Sequence, residues 1–148
     1  MPERVEELLL LDAAHEPQQL ETGVAGGVAV AYSCRDPHKE SENEDTVAII
    51  PYGPAAAVLV VCDGAGGLPA GKRASLTAVT TLADSLHTSM NQTALLRTAI
   101  LNGIEAANNA VLALANGSAT TMTVITIEGL LARSYQVGDS EAIIVGQR

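Results

Sequence analysis

Val58-Leu59-Val60-Val61-Cys62-Asp63-Gly64-Ala65-Gly66-Gly67 is the stretch on which the fold turns. The apolar run from Ala55 to Cys62, dense in β-branched valine, fits a strand buried on both faces. It stops at Asp63-Gly64, a turn signal, and Pro69 and Gly71 keep the chain irregular a little longer. A buried strand ending in an acidic, glycine-rich turn puts a carboxylate at the edge of a sheet.

Upstream, Thr46–Ile50 is a second short β-branched run, closed by Pro51 and the turn around Gly53-Pro54. A charged loop from Arg35 to Asp45 precedes it. Before that loop, Val28, Val30 and Tyr32 alternate with Ala29 and Ala31 through Ser33, the period-two mark of a strand. The first 22 residues read as a separate N-terminal arm, a short helix or irregular segment closed by Pro17, and residues 23–148 as the domain.

Downstream, Leu76, Val79, Leu82, Ala83 and Leu86 recur at helical spacing. So do Leu95, Leu96, Ala99, Ile100, Gly103, Ile104, Ala107, Val111 and Leu114, with Asn91 or Thr93 as the expected cap and Gly117 as the stop. Thr120–Ile127, a turn at Glu128-Gly129 and Leu130–Val137 predict a hairpin, and Ala142–Val145 a further strand. Three strands, two helices and three strands in blocks predict an α+β layered protein rather than an alternating βαβ wrap.

Composition sets the outer limits. The chain has 148 residues, enough for a real core, and 47% of them are hydrophobic. Phe and Trp are absent and Tyr occurs three times, so Ala, Val, Leu and Ile must fill the interior. A formal charge of −9 argues against a nucleic-acid backbone as partner, which would need clustered Lys and Arg. The Leu8–Leu11 run is too short to span a membrane, and the acidic residues before it are wrong for a signal peptide. Cys34 and Cys62 are too far apart for a CxxC pattern and suit free thiols in a reducing cytoplasm.

The candidate chemistry lies at strand ends. Asp45 opens one strand, Asp63 closes the most apolar one, and Asp139 follows Val137-Gly138. Carboxylates so placed can converge at one sheet edge and hold a hard cation such as Mg²⁺ or Mn²⁺, which keeps several waters. Gly64 lets the main chain approach such a cation closely. Each signal also has a plain structural reading. Asp-Gly is commonly just a turn, Gly-Asp-Ser an Asx-type turn, and Asp45 part of a solvated acidic loop.

In order along the chain, Asn43-Glu44-Asp45-Thr46-Val47, Val61-Cys62-Asp63-Gly64-Ala65-Gly66-Gly67-Leu68-Pro69-Ala70-Gly71, Ala119-Thr120-Thr121 and Val137-Gly138-Asp139-Ser140 resemble successive signatures of the PP2C (PPM) protein phosphatases. Ala74-Ser75 and Ala107-Asn108 are similar to the family between them. The resemblance implies a PP2C-like layered β-sandwich flanked by helices (α-β-β-α), with two Mn²⁺ or Mg²⁺ ions at one edge. It implies that Glu44 and Asp45 supply a ligand or orient metal-bound water, that Asp63 bridges both metals, and that Gly64 lends its carbonyl. Asp139 matches the position of an additional, weaker metal. The implied reaction is attack of metal-activated water on phosphoserine or phosphothreonine of a protein substrate, with Asp63 and Asp45 at the catalytic centre.

Two departures from the family accompany the resemblance. Glu40 stands near where the family carries a phosphate-gripping Arg, so that role passes to Arg35, with Lys39 as second choice. The family's remaining metal-binding aspartates come later than Asp139, and the chain supplies none of them. It therefore reads as the N-terminal half of the catalytic domain, incomplete at the C-terminus, to be completed by a separate C-terminal half or as a homodimer. Two other readings stand beside this one: a non-catalytic module of the same fold that binds a phosphorylated or regulatory partner, and an unrelated α+β binding domain.

Overall fold

The computed structural model of the chain describes residues 8–66 and 69–146. In order, the strands are β1 (Leu9–Leu11), β2 (Gln18–Val24), β3 (Gly27–Ser33), β4 (Thr46–Pro51), β5 (Ala56–Cys62) and β6 (Gly64–Ala65). Helices α1 (Ala70–Asn91) and α2 (Leu96–Leu112) follow, then β7 (Ala119–Thr120), β8 (Met122–Glu128) and β9 (Leu131–Val137). The chain is α+β, as its block pattern predicts.

An antiparallel five-stranded sheet in the order β1-β4-β5-β8-β9 carries the architecture. The apolar run in β5 takes a central place, with β4 and β8 as its neighbours. Period-two alternation then sorts the side chains. Ala48, Ile50, Val58, Val60, Cys62, Met122 and Val124 face one core, shared with Val79, Leu82 and Leu86 of α1 and Ile100 of α2. On the opposite face, Ile49, Val47 and Leu59 pack with Leu11, Leu20, Ala29 and Ala31, under the hairpin formed by β2 and β3. The layers are thus a helix pair, a five-stranded sheet and a two-stranded hairpin. The second face of β5 is only partly covered, and Val61 is 43% exposed.

Three local expectations are corrected. Of the N-terminal arm, residues 1–7 lie outside the described residues; the rest contains no helix and is irregular only over residues 12–17, between two strands. Leu9–Leu11 pairs with Val47–Ile49, and Gln18–Val24 pairs with Gly27–Ser33, so the hairpin runs through Thr22 and Gly23. Gln18, Leu20, Thr22 and Val24 turn inward and Gln19, Glu21 and Gly23 outward. Polar residues on both faces conceal that alternation in the sequence. The Ala25-Gly26 turn, with φ of 51° and 78°, has the primed geometry that suits strand twist.

The second correction concerns Ala142–Val145, which forms no strand; Ile143, Ile144 and Val145 are exposed. Their hydropathy suits a strand, but no described strand pairs with them. The third concerns α2, whose N-cap is Leu95, without a side-chain hydrogen bond. Asn91 instead ends α1, and Thr93 sits in the connection at a φ of 55°. No helix among the described residues is long and apolar enough to cross a membrane.

Candidate active site

The site forms where β4, β5 and α1 begin or end together. β4 and β5 are antiparallel neighbours, with Thr46 opposite Cys62. Asp45, just before β4, and Asp63, just after β5, therefore emerge side by side. The register that builds the core thereby brings together two carboxylates 18 positions apart in sequence.

Hydrogen bonds hold both segments. Asn43 is buried and bridges three places: its Nδ2 donates to Ser33 Oγ at 2.8 Å, its main-chain N–H to the Ala14 carbonyl, and its Oδ1 accepts from the Asp45 N–H at 3.1 Å. The last is an Asx turn that sets the direction in which Asp45 leaves the loop. The Asp63 N–H donates to Thr121 Oγ1 at 3.0 Å, and the Asp63 carbonyl accepts from the Thr121 N–H at 2.9 Å and Thr120 Oγ1 at 3.0 Å.

Gly64 sits where three stretches of main chain meet. A Cβ there would run into the Gly71 carbonyl and lie 2.8 Å from the Glu44 carbonyl oxygen. A Cβ on Gly71 would lie 2.5 Å from Glu44 Oε1. The glycines are thus required so that the β6 strand, the first turn of α1 and the Glu44 segment can touch. Besides the cation approach expected of Gly64, backbone crowding is a separate and sufficient reason for a glycine there.

A cleft of about 320 Å³ opens over these residues, lined by Arg35, Lys39, Asn43, Glu44, Asp45 and Asp63 among others. Five of the expected site residues, Arg35, Lys39, Glu44, Asp45 and Asp63, therefore share one cleft. Gly64 adjoins it in sequence. Asp139 does not line it. That residue lies exposed after β9, and its loop is linked to the site indirectly, through Ser140 Oγ to Thr121 Oγ1 at 2.7 Å.

Electrostatics follow from this crowding. Burial pushes the Asp45 carboxyl above its ordinary range, and the facing Asp63 carboxylate, within hydrogen-bonding reach, pushes it further. Glu44 adds to the rise and Lys72 opposes it. Lys72, from the first turn of α1, reaches under the site. Its Nζ donates to the Asp45 carbonyl at 2.6 Å and to Thr46 Oγ1 at 3.4 Å. Burial lowers its pKa, against the carboxylates of Asp12, Asp45 and Glu42, which hold it up.

This donor set fits a hard divalent cation. Repelling carboxylates gain when a cation lies between them, and Glu44 Oε1 is buried with no hydrogen-bond partner. Among the described residues no group of three or more Asp, Glu, His or Cys side chains is gathered as a metal cage. A cation on Asp45 and Asp63 would therefore retain several waters, as Mg²⁺ commonly does.

A comparison with protein families decides the kinship. The family model for protein phosphatase 2C matches residues 35–148. The chain belongs to the protein phosphatase 2C family. No curated protein matches it. Within a protein phosphatase 2C domain, the cleft holding Asp45 and Asp63 is the natural candidate for the active site. Sequence reasoning missed Lys72, because a contact from a helix to a main-chain carbonyl 27 residues earlier leaves no spacing rule to read. Asn43 and Thr121 lie inside the recognised motifs, but their scaffolding roles appear only in the hydrogen bonds.

Proposed function

We propose that this protein phosphatase 2C chain forms a Mn²⁺- or Mg²⁺-dependent site that removes phosphate from phosphoserine and phosphothreonine in proteins. The facing pair Asp45 and Asp63, in one cleft with Arg35 and Lys39, is the observation that carries this reading. Asp45 and Asp63 would hold the cation, with the Gly64 carbonyl beside them and Glu44 orienting its waters. Asp139 is the proposed holder of a further, weaker cation. When bound, the cation supplies a water of lowered pKa and neutralises charge on the phosphoryl oxygens.

The chain's own groups do the remaining work. Arg35 and Lys39 line the same cleft as the carboxylate pair, and cationic groups there would seat a phosphate against a metal. Arg35 is the better candidate, since its planar fork matches two phosphate oxygens at once. Glu44 Oε1, held against Gly71 without a hydrogen-bond partner, is left to accept a hydrogen bond from a water. Cys62 takes no part: burial pushes its thiol up to about 12, which keeps it protonated. A reducing cytoplasm is the proposed setting, consistent with two unpaired cysteines.

A second reading, a module of this fold that binds a phosphorylated or regulatory partner without hydrolysis, draws support from the absence of a three-ligand cage among the described residues. Calorimetric titration with Mn²⁺, followed by a phosphothreonine peptide, separates the two. The hydrolytic reading expects binding and phosphate release, both lost in Asp63→Asn. Binding without release favours the second, and Mn²⁺ affinity unchanged in Asp63→Asn removes the site from this cleft.

A further inference from the structure

We infer that Lys72 is a positioning residue for the cation site, clamping the Asp45 main chain so that its carboxylate stays opposite Asp63. The inference rests on the reading of this cleft as a cation site. An ammonium group only donates hydrogen bonds, which gives the network around it a direction. Lys72 Nζ donates to the Asp45 carbonyl and to Thr46 Oγ1. Thr46 Oγ1 lies 2.8 Å from Ser75 Oγ, and Ser75 Oγ donates onward to the Glu44 carbonyl. Thr46 and Ser75 are both fully buried, so neither hydroxyl has water as an alternative partner. Three consecutive residues, Glu44, Asp45 and Thr46, are thus tied to the first two turns of α1.

Lys72 is poorly placed for anything else. A positive charge in the first turn of a helix opposes the helix dipole, and α1 has no acidic residue there to offset it. The same charge weakens the attraction of a cation to Asp45 and Asp63. Its burial carries a desolvation cost as well. A residue that breaks three local rules at a site is best explained by the geometry it enforces.

The test turns on a sign. Were Lys72 only a nearby charge, Lys72→Met would tighten Mn²⁺ binding by removing repulsion. A clamp predicts the opposite: affinity falls, by about 10- to 100-fold on the scale of lost outer-shell partners, and Lys72→Arg recovers part of it. Ser75→Ala, which cuts the other end of the network, should weaken binding in the same direction and serves if Lys72→Met fails to fold. Tighter or unchanged Mn²⁺ binding in Lys72→Met overturns the inference. Should the unmutated chain bind no Mn²⁺, the cation reading falls, and amide exchange in the metal-free chain decides the clamp. Faster exchange at Asp45 and Thr46, with α1 unchanged, supports it; unchanged exchange there overturns it.

Discussion

At the end of β5, Cys62 turns inward and Asp63 outward. One step along a strand reverses the side-chain direction, so neighbouring residues meet opposite environments. Cys62 is fully buried, and its thiol, ordinarily near 9, is raised to about 12 by desolvation. A raised acid pKa favours the neutral form in the folded state. Its contribution to stability is therefore present below the ordinary thiol range and lost as pH rises from 9 toward 12. Cys34 is exposed. A thiol-reactive dye at neutral to mildly alkaline pH should accordingly modify Cys34 alone in the folded chain and both cysteines in denaturant, a difference that mass spectrometry reads directly.

Among the elements, the junction of β6, α1 and the Glu44 segment leaves the least room. Gly64→Ala sets a methyl group against the Gly71 carbonyl and within 2.8 Å of the Glu44 carbonyl oxygen, obstacles that are main chain and cannot rotate away. The substitution should cost about 1–3 kcal/mol, the range for overpacking, and weaken Mn²⁺ binding by moving Glu44 and Asp45 together. Urea denaturation and metal titration on the same variant check both effects. The elements also show why sequence signals succeeded unevenly. β5 carries a continuous apolar run and the two helices a strong apolar periodicity, and each was legible. β2 pairs through its main chain while carrying Gln, Glu and Thr, and so it looked like an arm. Residues 142–145 have the hydropathy of a strand, but a strand exists only with a partner.

Across the whole molecule, the larger of two cores lies between the helices and the sheet. Leu82 is fully buried between the helices and the sheet, whereas Leu130 is fully exposed at the β8–β9 turn. Leu82→Ala should destabilise the chain by about 2–5 kcal/mol through lost burial and the cavity left behind. Leu130→Ala should stay within about 0.5 kcal/mol, as expected of a surface substitution. Shifts in the urea midpoint at constant slope distinguish them. On the other side of the sheet the hairpin covers only part of the face, and Val28, Val30 and Tyr32 of β3 remain exposed.

Periodicity and turn chemistry in the sequence by themselves determined the α+β class, the central strand, both helices and the positions of Asp45 and Asp63 at strand ends. The ordered motifs pointed to the family. Those signals are local, since a strand's alternation or a helix's stripe is written in consecutive residues. Only the tertiary structure decided that Asp45 and Asp63 face each other, that Asp139 lies outside their cleft, and that Lys72 reaches the Asp45 carbonyl. Such juxtapositions depend on the register of β4 against β5 and on where α1 starts. Both are settled by packing between distant segments, which no local pattern encodes.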